Sequence, residues 1–267
     1  MLVRTWNVFH GNTVPPGRRS YVEEAVRLAS ADRPAVLCLQ ELPAWALAHL
    51  AEWSGLAAFP ELAARPSLGP LPSTADLGRR LTALNPGLLR SAFSGQGNAI
   101  LLDPAFVVED SHALVLNRRS FRREQALALE LGPLARLSWA KERRVAQAVR
   151  ALLPDGRRLL AANLHATAYA PDRRLADAEL RRAAEFVLAL AREGEVVVLA
   201  GDFNLFPGES QTLERLADEG FSAPGPGVDH VLVRGAAASA PFTWPGDRRR
   251  IDGHAVSDHA PLELAVA

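Results

Sequence analysis

Apolar positions along this chain recur with two periods, and the shorter runs carry the chemistry. Val196 to Ala200 is continuously apolar and rich in β-branched residues, which predicts a strand buried on both faces. It stops at Gly201, where a backbone without Cβ can turn, and then presents Asp202 and Asn204. Residues two apart on an extended backbone project to one side, so these two polar groups would converge at the strand's end. Taken alone, an ordinary Asx turn accounts for them equally well. The same pattern returns elsewhere. Leu2 to Val8 alternates apolar and polar positions and leads through Asn7 to Gly11; Ala35 to Leu39 is an apolar run followed by Gln40 and Glu41. Gly97 to Leu102 and Phe106 to Leu116 read as strands. Arg143 to Leu153 and Arg157 to His165 flank Pro154-Asp155-Gly156, a hairpin signal because Asp-Gly supports the positive φ of a tight turn. Val228 to Val233 is strand-like, and Ser257-Asp258-His259 immediately precedes a terminal strand.

Helical spacing fills the intervals. Ser20 to Ala29 carries Val22, Ala25, Val26 and Ala29 on one face, with Ser20 and Glu23 placed for a capping box. Trp45 to Trp53 reads as a helix, and Leu175 to Ala191, stopped by Gly194, is the clearest one. A short helix passes through Leu213 and Leu216. The Pro-, Gly- and Ser-rich stretch from Ala57 to Arg90 supports only a short helix over Asp76 to Leu84. Arg118, Arg119, Arg122 and Arg123 cluster around Phe121, either as a solvated basic loop or as a phosphate-facing patch. The segment from Arg234 to Gly246 reads as a surface connection. With no repeat and no break in composition, residues 1–267 are expected to form one α/β domain.

Composition narrows the class. A hydrophobic fraction of 48% and a charged fraction of 22% are those of a folded globular protein, not a disordered one. Thirty basic residues balance thirty acidic ones, so there is no net field of the kind that marks a dedicated nucleic-acid binder. Cys38 is the only cysteine, which excludes an intramolecular disulfide and a thiolate metal cluster, and its apolar setting makes it a core residue. No run approaches the ~20 apolar residues needed to span a bilayer, and no leader pattern precedes the first strand. A cytoplasmic protein, monomeric by default, is the expectation.

Five strand ends thus carry polar groups: Asn7, Glu41, Asn163 with His165, Asp202 with Asn204, and Asp258 with His259. Catalytic groups gathered at strand ends are the usual way a rigid sheet positions a site. The series Trp6-Asn7, Leu39-Gln-Glu41, Gly97-Asn98, Asn163-Leu-His165, Gly201-Asp-Phe-Asn204, Asp229-His230 and Ser257-Asp-His259 resembles, in order and spacing, the endonuclease/exonuclease/phosphatase superfamily. The likeness runs over nearly the whole chain. Gly-Asp-Phe-Asn and Ser-Asp-His are specific in combination and weak separately. The resemblance implies a four-layer sandwich, two mixed β-sheets packed face to face with helices on both outer faces.

It also implies a divalent-metal-dependent phosphoesterase, in which water attacks phosphorus while positive charge gathers on the phosphoryl oxygens. On that resemblance Glu41 binds Mg²⁺ or Mn²⁺ with Asn7 and Asp258 beside it, few protein ligands sufficing because magnesium keeps its waters. His259 acts as general base or phosphate partner, with Asp229 fixing its tautomer and favouring its charged form. His165 donates to the phosphate or assists the leaving group, Asp202 orients or deprotonates the water, and Asn204 bonds a phosphate oxygen. Asn98, Asn163 and Arg144 are the expected substrate contacts. Many relatives carry an acidic residue two positions after the first Asn, where Phe9 stands here, which shifts the burden of metal binding to Glu41. No insertion with interleaved aromatic and basic residues points to apurinic-site cleavage. Substrates expected are phosphate esters, nucleic acid among them. A lipid-headgroup phosphodiesterase would need an exposed rim, for which Trp53, Phe93, Trp139 and Trp244 are candidates; a silent binding module is the remaining alternative. His10 either lines the site or lies on the surface, His49, His112 and His254 read as structural or solvated, and His230 as a packing residue. Ser257, Asp258 and His259 cannot form a hydrolase triad, since neighbours on an extended chain point to opposite sides.

Overall fold

The computed structural model describes residues 1–68, 71–74, 76–78, 80 and 93–267. In chain order the strands of the two large sheets are β1 (Leu2–Asn7), β2 (Val36–Leu42), β3 (Ala57–Ala64), β4 (Gln96–Leu102), β5 (Val107–Val115), β6 (Val145–Leu152), β7 (Arg158–His165), β8 (Val196–Asp202), β9 (Asp229–Arg234), β10 (Phe242–Thr243) and β11 (Leu262–Ala265). One sheet runs β10-β11-β1-β2-β4-β3 and the other β9-β8-β7-β6-β5. Each is mixed, because β1 pairs parallel with β2 and β7 with β8 while their other pairings are antiparallel. Among the described residues the main α-helices are α1 (Val22–Ser30), α2 (Leu50–Ser54), α3 (Arg119–Ala128), α4 (Pro133–Lys141), α5 (Arg174–Leu190) and α6 (Gln211–Asp218). The parallel pairs are the two that need crossovers, and α1 and α5 lie in those connections.

Side-chain alternation builds the layers. Val196, Val198 and Ala200 of β8 join Val36, Cys38 and Ile100 in a core between the sheets. Val197 and Leu199 point the other way, onto Leu180, Ala183 and Val187 of α5. Leu37 and Leu39 of β2 likewise face Val22, Ala25 and Val26 of α1. The architecture is therefore the four-layer sandwich, with a helical layer outside each sheet.

Several local expectations change. Ser20 Oγ donates to the His10 carbonyl at 2.7 Å, and α1 begins after Tyr21 without a side-chain cap, so no capping box forms. Trp45 to Trp53 divides into a 3-10 turn over Ala44–His49 and the short α2. The run after Ala57 is a strand, β3, whose Pro60 is tolerated because β3 lies at the sheet's edge and pairs only with β4. The arginine cluster opens a helix, α3, rather than lying in a loop, and α4 follows it. The helix expected over 76–84 lies largely outside the described residues.

Candidate active site

The central groups arrive side by side because three neighbouring strands are in register. Across the second sheet Asp202 of β8 pairs with His165 of β7 and with Asp229 of β9. The close approach depends on Gly201, whose φ is +139°; a Cβ there would sit 2.0 Å from the Leu164 carbonyl oxygen. From the first sheet comes Asn7, at the end of β1. Glu41 follows Gln40 in β2, where the register with β4 slips between Leu39 and Leu42. At this bulge Glu41 has φ +53°, so both residues of the pair leave strict alternation. Gln40 binds Thr5 Oγ1 at 3.0 Å and Asn163 Oδ1 at 2.7 Å between the sheets, and Glu41 turns to Asn7 and the histidines.

These side chains form one connected cluster. Asn7 Nδ2 donates to Glu41 Oε1 at 3.1 Å and to Asp202 Oδ2 at 3.0 Å, while its Oδ1 accepts the Phe9 N–H at 3.0 Å. His165 Nε2 lies 3.7 Å from Glu41 Oε1 and 3.5 Å from Asp202 Oδ2. Gln96 Nε2 donates to His165 Nδ1 at 3.0 Å, and Arg144 Nη1 stands 3.0 and 3.1 Å from the two ring nitrogens. Glu142 Oε2 holds the other end of the Arg144 guanidinium at 2.8 Å. On the opposite side His259 Nδ1 donates to Asp229 Oδ2 at 2.8 Å, leaving Nε2 3.8 Å from Asp202 Oδ2.

Strain concentrates here. Phe9, His10, Glu41, Asn204 and Ser257 all adopt positive φ, five of the eight non-glycine residues that do so among the described residues. Left-handed backbone costs a non-glycine residue about 1–3 kcal/mol and persists where its surroundings dictate it. For Ser257 those surroundings are visible: its Oγ donates to the Asn7 carbonyl at 2.6 Å and accepts the His259 N–H at 3.0 Å. Trp6 Nε1 adds a 3.0 Å bond to the His259 carbonyl, and Arg249 Nη1 donates to the Ser257 carbonyl. The Ser-Asp-His segment is thus a clamp that delivers His259 to the end of β1, not a triad.

Burial sets the protonation states. It pushes the Glu41 carboxyl up to about 7, against the hydrogen bond from Asn7 and the charge of Arg144. It pushes Asp202 up to about 6, helped by the charge of Asp229 and opposed by His259 and Asn7. Burial, followed by the charges of Arg144, His259 and His10, holds His165 well below the usual imidazole range, so its ring is neutral. For His259 burial acts downward, but the bond to Asp229 and the charges of Asp202, Asp229 and Asp258 outweigh it and raise the imidazole to about 10. At neutral pH one histidine is a neutral acceptor and the other a cation.

The donor set suits a hard divalent cation. Asp202, Asp229 and His259 bring polar atoms within 4.8 Å of one another, the two carboxylates being the donors while His259 is protonated, and Asp229 Oδ1 is buried without a hydrogen-bond partner. Buried carboxylates held above their usual pKa are what such a cation relieves. Glu41, with 21% of its side chain exposed, stands beside them across Asn7. The expected trio of Asn7, Glu41 and Asp258 is thereby redistributed. Asp258 is exposed and outside this carboxylate group, and acts on the site through the charge it adds beside His259.

The remaining expected residues divide. Arg144 is at the site, and with Glu41, Lys141, Glu142 and Thr167 it lines a cavity of about 240 Å³. Asn204 Nδ2 donates to the Ala166 carbonyl at 3.0 Å, and its N–H to Asp202 Oδ1 at 3.0 Å, so it braces the turn. Asn163 is not a substrate contact. Fully buried, it donates to the Leu39 and Ala99 carbonyls at 3.0 and 2.9 Å and joins the two sheets. Asn98 is buried as well, with Nδ2 3.4 Å from the Val145 carbonyl. His10 lies within the site, Nε2 3.8 Å from Glu41 Oε2. His230 packs on Phe203 and bonds the Leu205 carbonyl at 2.8 Å. Gln96 and Glu142 carry no signal in the sequence, whereas Ser257 stands inside the Ser-Asp-His motif and its role as a clamp is visible only in the structure.

Residues 5–259 match the endonuclease/exonuclease/phosphatase family, and the chain belongs to it. Solved structures of the same fold include a functionally unknown conserved protein from Enterococcus faecalis, 18% identical with TM-score 0.67, covering 100% of this chain and 99% of that one. A mannosyl-6-phosphatase from Bacteroides thetaiotaomicron is 13% identical with TM-score 0.62, covering 100% and 99%. The catalytic domain of human Nocturnin, solved with a bound sulfate anion, is 16% identical with TM-score 0.64, covering 100% and 93%. At these identities the likeness is one of fold. No curated protein matches the sequence.

Proposed function

We propose that this protein is a divalent-metal-dependent phosphoesterase that hydrolyses phosphodiester or phosphomonoester bonds by attack of water. The observation that carries this is the convergence of Asp202, Asp229, His259, Glu41 and His165 in one cluster, with two histidines in opposite protonation states. Mg²⁺ or Mn²⁺ held by Asp202 and Asp229, with Glu41 as the neighbouring oxygen donor, would supply charge on the phosphoryl oxygens. His259, protonated and fixed by Asp229, stabilises negative charge on the phosphoryl group rather than taking a proton from water. Asp202, as the carboxylate, orients the attacking water and accepts its proton. Arg144 faces the phosphate. His165, neutral and held by Gln96, contributes a hydrogen bond and no charge. The phosphatase and sulfate-bound relatives are compatible with either ester class.

The test is a substrate panel of bis(p-nitrophenyl) phosphate, p-nitrophenyl phosphate, sugar phosphates, DNA and RNA, assayed with Mg²⁺, Mn²⁺ or EDTA. Hydrolysis should require the metal, and Asp202→Asn should lower kcat by 10² or more, in the usual range for loss of a positioned base (roughly 10²–10⁴). Hydrolysis that persists in EDTA, or an undiminished Asp202→Asn, refutes the mechanism.

A further inference from the structure

We infer that the α3–α4 hairpin docks this protein onto an anionic bilayer surface. The inference stands on those two helices and does not require the catalytic reading. In α4, Ala135 and Trp139 face inward, Trp139 donating to the buried Glu179 at 2.6 Å. The opposite face presents Leu134 at 76% exposure and Leu137 at 71%, one turn apart, with Leu127 of α3 at 73%. Three leucines so exposed on adjacent helices need a reason when each helix buries only a narrow stripe.

Charge specifies the occupant. Although the whole chain is neutral, residues 118–141 contain six arginines and lysines against Glu124 and Glu130. Arg119, Arg122, Arg123 and Arg136 line a groove of about 430 Å³ together with Leu127 and Trp139, so cationic and apolar groups share one wall. Exposed leucines set among cations are the composition of a surface that lies in the headgroup region of an anionic membrane. A nucleic acid would satisfy the arginines and leave the leucines in water. No helix among the described residues is long and apolar enough to cross a membrane, so the attachment is peripheral.

The surface is also continuous with the candidate active site. Leu134, Leu137, Ala140 and Tyr169 line a second trough of about 570 Å³, and its walls Ser138 and Lys141 also line the cavity that contains Glu41 and Arg144. A bilayer seated on the leucines therefore lies at the mouth of that cavity.

Flotation of the full chain with vesicles tests this. Phosphatidylcholine vesicles containing phosphatidylserine should carry the protein upward, and pure phosphatidylcholine vesicles should not. Leu134→Ser with Leu137→Ser should weaken partition about ten-fold with unchanged thermal midpoint, since both side chains are already in water. Arg119→Ala with Arg123→Ala should reduce the preference for anionic vesicles and its sensitivity to salt. Absence of flotation at low salt overturns the inference, as does a leucine variant that binds undiminished. So would sedimentation showing a dimer that dissociates in the leucine variant, or an oligonucleotide that binds the hairpin and is not displaced by anionic vesicles.

Discussion

At the scale of single residues the most informative pair is Asp229 and His259, 2.8 Å apart. An ionised carboxylate beside an imidazole favours the charged ring, and here it prevails over burial to give a pKa of about 10. The consequence for stability follows from the sign. A group whose folded pKa is raised above the ordinary 6.5 contributes stability fully present below that value and lost as pH rises through about 10. On the proposed mechanism activity should decline over the same alkaline range, because there it is the imidazolium that would meet the phosphoryl oxygens. Asp229→Asn removes the charge while keeping the size. We expect it to lower kcat on the order of 100-fold and to move the alkaline limb of the pH–rate profile toward neutrality. A profile whose alkaline limb stays in place would mean that His259 is not the group that limits it.

Elements, in turn, decide which residues can meet. Parallel pairing of β7 with β8 aligns His165 with Asp202 only because Gly201 admits the Leu164 carbonyl into the space of a Cβ. Gly201→Ala should therefore separate the strands, destabilising the protein by about 3 kcal/mol in urea denaturation and lowering activity even where the variant remains folded. An alanine variant with unchanged midpoint and rate would show that this close approach is dispensable. The same element scale explains what was legible beforehand. Continuous apolar runs identified β2 and β8, and the polar residues at their ends identified Glu41, Asp202 and, at β7, His165, because strands report themselves through short periods and site groups through interruption of them. Asn163 misled for the same reason, since a polar residue near a strand end looks alike whether it faces a ligand or another sheet. β3 was hidden by its alanines and Pro60, which a central strand would not tolerate and an edge strand does. α4 was hidden because its outward leucines erase the amphipathic pattern by which a helix is read. Gln96 could not be found at all, as its role depends on β4 lying across the sandwich from β7, a contact between distant parts of the chain.

Across the whole molecule the two sheets bring together carboxylates that neither would bury alone. Glu41 comes from one and Asp202 from the other, with pKa values of about 7 and about 6 against ordinary values of 4.5 and 3.8. Both are raised, so what they contribute to folding is fullest below the ordinary values and is lost as pH rises through 6 and 7. Above that range the folded chain holds neighbouring negative charges that the unfolded chain keeps apart in water. A divalent cation that binds the folded arrangement selectively, as proposed, would add its binding energy to the folding energy. At pH 8 a concentration about 100 times Kd should raise stability by about 2.7 kcal/mol, which for a chain of this size is a rise in Tm of about 5 °C. At pH 5 protons compete for the same carboxylates and the rise should be much smaller. Differential scanning calorimetry with Mn²⁺ and Mg²⁺ at the two pH values measures this directly. The paired variant Glu41→Gln with Asp202→Asn separates the candidate site from general ion effects: without metal it should melt higher than the parent at pH 8, because the repulsion is gone, and metal should then add little. A variant that still gains the full metal-dependent increment would place the cation elsewhere in the molecule.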